Sequence, residues 1–156
     1  MTKKTAGVLV YRIRNREPEF LLAHPGGPFW AKKDLEAWSI PKGEFDDTED
    51  PLSAAKREFE EEMGSAVTGQ FVPLKPLKSS SGKIIYAYAV ESEFDVSTVT
   101  SNTFPLEWPP KSGKIQHFPE VDRAAWFPMR EAAEKINTSQ APFLQEVKEM
   151  LERIKC

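Results

Sequence analysis

Between Gly43 and Gly64 the residue types define a helix with a marked start, a marked stop and two unlike faces, and few folds can house it. Asp50 can cap the first backbone N–H groups, Pro51 suits the first helical position, and Gly64 suits the left-handed residue that ends a helix. A helical residue advances by about 100°, so with Glu58 at zero, Glu61 falls at roughly −60° and Glu62 at roughly +40°. The three carboxylates therefore share a face, with Arg57 on the flank beside Glu61. Leu52, Ala55, Phe59 and Met63 make an adjacent apolar face, and Ala54 lies between the acids without bulk to obstruct them. Such a stripe has to be buried against another layer of structure.

The acidic face is costly by itself. Glutamates three and four apart repel by a few tenths of a kcal/mol per pair. Residues 43–65 carry nine acids and two bases, while the whole chain is only −3, so the rest is mildly basic at +4. A solvated acidic face accounts for such a run if nothing binds there. A divalent cation instead turns the repulsion into ligation, because Mg²⁺ and Mn²⁺ prefer oxygen donors. The surrounding Lys and Arg then suit an anionic partner such as phosphate.

The flanking segments supply the layer. Residues 5–14 alternate and are β-branched, residues 19–23 follow after a polar turn, and the two predict a hairpin. Residues 24–37 are rich in Pro, Gly and aromatics and read as a loop, followed by a short strand at Trp38, Ser39 and Ile40 that ends at Pro41. An irregular strand over 67–77 is broken by Pro73 and Pro76, and residues 83–94 read as a strong strand. Residues 97–113 read as a long loop, 114–118 as briefly extended, 124–127 as a short strand and 128–136 as a helix. A last helix follows Ser139, with Phe143, Val147, Met150 or Leu151, and Ile154 as its core stripe. This order favours an α/β (α+β type) fold with a mixed sheet covered by helices, and a single domain over 1–156.

Composition narrows the class further. The one cysteine, Cys156, allows no internal disulfide, and the N-terminus reads as a strand, not a signal peptide, so a cytoplasmic protein is expected. No run of 18 apolar residues predicts a membrane span, and no Lys/Arg cluster predicts an extended nucleic-acid surface. SGKI occurs at 81–84 and 112–115, but Leu77 and Trp108 stand where a phosphate-binding loop requires glycine. His24 and His117 lack metal-ligand spacing and are expected to be structural or exposed.

The longer frame is Gly43, five residues, Glu49, seven residues, Arg57-Glu58-Phe59, one residue, Glu61-Glu62, one residue, Gly64. It resembles the Nudix box, G-x5-E-x7-R-E-U-x-E-E-x-G-U, at every fixed position. It departs at Phe59, aromatic where an aliphatic is usual, and at Ser65, polar at the last bulky position. The likeness covers most of residues 5–136 and is greatest to bacterial predicted NTP pyrophosphohydrolases of the MutT-like Nudix family. The Pro41-Lys42-Gly43 approach resembles that of dinucleoside polyphosphate hydrolases.

The resemblance implies an α/β/α sandwich and a metal-dependent hydrolase that cleaves a pyrophosphate bond in a nucleoside diphosphate linked to another group. It implies that Glu58, Glu61 and Glu62, with the Lys42 carbonyl, hold Mg²⁺ or Mn²⁺, that Glu49 and Arg57 brace them, and that Glu120 (or Asp122) adds an acid. Lys42 and Lys83 are candidates for phosphate. Tyr86 and Tyr88, which share a strand face, and the loop residues Phe29, Trp30 and Trp108 are candidates for a base. Dinucleoside polyphosphates and nucleoside triphosphates lead; RNA 5′ ends, nucleotide sugars and inositol pyrophosphates stay open. A homodimer is a further possibility, and a nucleotide sensor without turnover is the alternative function.

Overall fold

The computed structural model describes residues 3–79 and 81–155; Cys156 and the side chain of Ile154, named above, lie outside the described residues. The central strand is β1 (Lys4–Arg14), whose residues 5–11 are all buried because layers cover both of its faces. It turns at Asn15 and Arg16, both with positive φ, into β2 (Glu17–Pro25), with Arg14 opposite Glu17 in a two-residue hairpin. Strand β3 (Lys42–Phe45) pairs antiparallel with the first residues of β1. Strand β6 (Ile84–Glu91) runs parallel to β1 on its other side, from Lys4 opposite Ile84 to Tyr11 opposite Glu91. Short strands β4 (Val72–Pro73) and β5 (Leu77–Lys78) pair with β6, and β9 (Val121–Pro128) pairs with β2. The result is a mixed sheet ordered β4-β6-β1-β2-β9. A separate hairpin joins β7 (Thr103–Glu107) to β8 (Ile115–Pro119).

The predicted helix is α1 (Pro51–Met63). Asp50 caps it by accepting the Ser53 N–H, and Gly64 ends it at φ 84°. Its Ala54, Ala55, Phe59 and Met63 pack on Ala6, Val8, Val10 and Leu21 of one sheet face. The other face of the sheet, with Leu9, Tyr11 and Ile85, packs against α2 (Met129–Lys135) and α3 (Ala141–Lys155) through Ala132, Phe143, Leu144 and Val147. The alternation along β1 thus builds two cores, and the α/β/α order expected from the sequence is present.

Two segments differ from expectation. The strand lies after Pro41, not at 38–40. There the backbone bonds are divided among Ala23, Lys135 and the Gln140 side chain, so no ladder repeats. Residues 97–113 are not one loop. Phe104 and Leu106 are half-buried while Thr103, Pro105 and Glu107 are exposed, a period of two that forms β7 in spite of Pro105. No helix among the described residues is long and apolar enough to cross a membrane.

Candidate active site

Strand β3 brings Gly43 onto α1, and the fit leaves no room for a side chain. A Cβ on Gly43 would stand 2.0 Å from Glu58 Oε2 and 2.6 Å from Oε1. Glu58 is held there from the other side by Arg57, whose Nη1 lies 2.7 Å from Oε1. The same guanidinium makes two 2.8 Å bonds to Glu49 and reaches Glu61 at 3.4 Å. Arg57 therefore ties the loop acid to two of the helix acids. Its own pKa is raised, first by its hydrogen bond with Glu49 and then by that with Glu58.

Glu62 also faces β3, one residue earlier on the strand than Glu58 does, and accepts the Lys42 N–H at 3.3 Å. Burial raises its pKa to about 8; Lys42 opposes the shift, while Glu58 and Glu120 add to it. Burial also raises Glu58, against the pull of Arg57. Lys42 is lowered by burial, with Glu62 opposing. Burial and the two nearby carboxylates thus all disfavour the charged form of Glu62, a cost that a neighbouring positive charge would relieve.

Among the described residues no three His, Cys, Asp or Glu side chains are gathered closely enough to hold a metal ion as they stand. The cause is visible in the pairings. Arg57 occupies Glu58 and Glu61, and Glu62 faces Lys42. The donor set nevertheless fits a hard divalent ion, since three glutamates project from one helix face beside a strand turn with an available carbonyl.

The remaining candidates sort by sheet face. Lys42, paired with Gly7, and Lys83 share a cavity of about 180 Å³ with Thr5, Ser79, Asn137 and Gln140. Glu44 bridges the rim, 3.3 Å from Lys83 Nζ and 3.8 Å from Lys3 Nζ. Thr5, Asn137 and Gln140 had no local sequence signature, because they lie far apart in the chain and converge only where β1 meets the turn before α3. Tyr86 and Tyr88 belong to the opposite face, half-buried among the residues packed under α1, so they do not join the lysines. Tyr86 instead meets Phe45 edge-on at 5.9 Å between centroids. Trp108 is on the β7–β8 hairpin, edge-on to Phe29 at 5.4 Å.

The two acids proposed near β9 also separate. Asp122 Oδ1 lies 2.9 Å from Nδ1 of His24, which is fully buried and has its Nε2 2.7 Å from the Lys33 carbonyl. Glu120 is exposed and acts electrostatically on Glu62. Its backbone is fixed, with its N–H donating to Asn102 O at 2.8 Å.

A mixed sheet between helical layers, with a glutamate helix laid against a Gly43 turn, defines the Nudix class of pyrophosphohydrolases. A family model described as NUDIX domain matches residues 3–147, and the chain belongs to that family. No curated protein matches significantly in sequence. Solved structures similar in fold include a binary complex of a Caenorhabditis elegans Ap4A hydrolase, 22% identical, with TM-score 0.62 over 95% of this chain and 98% of that one. Another is the NUDIX domain of Shewanella oneidensis NrtR complexed with ADP ribose, 14% identical, with TM-score 0.66 over 97% and 89%. A mutT/nudix family protein from Listeria innocua is 17% identical, with TM-score 0.62 over 97% and 94%.

Proposed function

We propose that this protein hydrolyses a pyrophosphate bond in a nucleotide, dinucleoside polyphosphates foremost and nucleoside triphosphates next, using Mg²⁺ or Mn²⁺. One observation carries the reading. At Lys42 the backbone N–H meets the Glu62 carboxylate while the side chain lines the cavity shared with Lys83. The carboxylates and a cationic cavity therefore meet at a single residue, as a phosphate chain that ends in a nucleoside requires.

Glu58, Glu61, Glu62, the Lys42 carbonyl and Glu120 would hold the cation. When bound, the cation supplies charge screening for the phosphate oxygens and acidifies a water molecule. The chain's own residues do the rest. Arg57 and Glu49 fix the direction of Glu58. Lys42 and Lys83 hold phosphate oxygens and favour the departing charge. Glu62, half-buried and with its pKa raised to about 8 without a cation, is the carboxyl placed to exchange a proton at Oε1 or Oε2. The Ap4A hydrolase and the ADP-ribose-bound NUDIX domain among the structural relatives agree with a nucleotide ligand.

A second reading is a sensor that binds nucleotide without turnover, favoured by the hold of Arg57 on Glu58 and Glu61. Phosphate release measured over a panel of dinucleoside polyphosphates, triphosphates and nucleotide sugars, with either cation, decides between them. Release abolished by Glu62→Gln supports hydrolysis; binding with no release from any substrate overturns it.

A further inference from the structure

The carboxylate end of the sheet is bordered by an exposed aromatic wall. Loop residues 26–29 run alongside the β7–β8 hairpin from its base to its tip. At the base, the Gly26 N–H donates to Glu120 O at 3.0 Å, and a Cβ on Gly27 would lie 3.0 Å from the Phe104 ring. Near the tip, Phe29 packs edge-on against Trp108. The base belongs to the candidate active site, since the Asn102 N–H donates to Glu61 O at 3.3 Å. Five-residue strands place the tip roughly 17 Å from that base.

The surface between is unusual. Phe29 is 60% exposed, Ile115 60% and Trp30 37%, although each is large and apolar. Lys32 and Lys33 of the same loop and Lys111 and Lys114 of the hairpin turn are exposed, and Lys33 Nζ lies 5.0 Å over the Trp30 ring. Phe29 and Trp108 pack on one another at this surface, and exposed apolar surface rimmed by polar residues marks a binding site. Aromatic rings interspersed with cations suit a nucleobase joined to phosphate. The Lys42–Lys83 cavity shares no lining residue with the wall and, at about 180 Å³, can take only one end of a ligand. A mononucleotide seated there leaves the wall empty, whereas a two-ended ligand reaches both.

We propose that Phe29, Trp30 and Trp108 form a distal subsite that stacks the second nucleobase of a dinucleoside polyphosphate. Its phosphate chain runs along the hairpin base to the glutamates, with the lysines screening its charge. The proposal rests on the hydrolase reading for the direction of the phosphate chain. It gives the enzyme a preference for ligands with two bases.

The test is calorimetric binding, in Mg²⁺, of two non-hydrolysable probes: a methylene-bridged dinucleoside tetraphosphate and a methylene-bridged nucleoside triphosphate. Phe29→Ala, a change at an exposed loop position, and Trp108→Ala should each weaken the first probe about tenfold more than the second. Trp108→Phe should recover most of the loss. Equal weakening of both probes, no weakening of either, or a wild-type protein with no preference for the two-base probe overturns the subsite. So does a change in sedimentation without a change in binding, which would make the wall a self-association surface. Phosphate release from wild-type protein is scored separately. Selective binding without release would overturn the hydrolase reading and leave the subsite standing.

Discussion

Gly43 and Glu58 occupy one another's space: the Cβ that any other residue would carry at 43 falls 2.0 Å from Glu58 Oε2. The glycine is thus required by the carboxylate, and the carboxylate is aimed by the absence of a side chain. Gly43→Ala should displace Glu58 and lower kcat about a hundredfold, the scale of a misplacement of about one ångström. Circular dichroism should be unchanged, because Glu58 lies at the edge of the packed core. Wild-type turnover in this variant would exclude Glu58 from the reaction.

Glu62 gives the metal-free protein a dependence on pH. Burial raises its folded pKa to about 8 from an ordinary 4.5. The stability tied to its proton is therefore fully present below the unfolded value and is lost as pH rises through about 8. Glu58, also raised by burial, contributes a loss of the same sign. In EDTA, Tm should fall between pH 5 and pH 9, and Glu62→Gln should flatten that slope. An equal slope in the variant would place the titration elsewhere. The same variant should lose turnover by orders of magnitude while folding normally.

Arg57 binds three acids at once, so its removal should release them together. Arg57→Ala should cost about 10- to 100-fold in activity or metal affinity, as expected for a residue that orients ligands without being one. Arg57→Lys should recover little, because a lysine cannot make the paired 2.8 Å bonds that Arg57 makes to Glu49. A lysine variant as active as wild type would show that charge alone suffices.

Manganese should stabilise the fold. At about a hundredfold excess over its dissociation constant, a bound ion contributes about 2.7 kcal/mol, several degrees of Tm for a chain of this size. The shift should vanish in the Glu58→Gln, Glu61→Gln double variant. Differential scanning fluorimetry would show it, and an unchanged Tm in wild-type protein would argue that the acids bind no cation.

The helix was legible because its information is local. Asp50, Pro51 and Gly64 act within one turn of themselves, and the 100° step places Glu58, Glu61 and Glu62 without reference to the rest of the chain. Strand β1 is legible from its β-branched residues, although the alternation expected over 5–14 gives way to continuous burial over 5–11, because both faces of the strand are covered. What sequence could not give was which side of the sheet each candidate would face. Lys83, just ahead of β6, lines the cavity on one face while Tyr86 packs on the other, and only the strand pairing with β1 shows which of those faces α1 covers. The cavity residues Asn137 and Gln140 reach Lys42 only because α2, α3 and β1 share a core. The β7–β8 hairpin was missed because Pro105 and the neighbouring polar residues obscure its alternation, and a hairpin outside the main sheet tolerates both.

The loop, Glu120, Asn102 and α1 are joined by consecutive backbone bonds: Gly26 N to Glu120 O, Glu120 N to Asn102 O, and Asn102 N to Glu61 O. A seam made of amides keeps its strength whichever side chains line it. The proposed outer subsite can therefore exchange its aromatic residues, and with them the kind of molecule it would take, while remaining in register with the acids beneath. Recognition and chemistry are mechanically joined yet free to diverge in sequence.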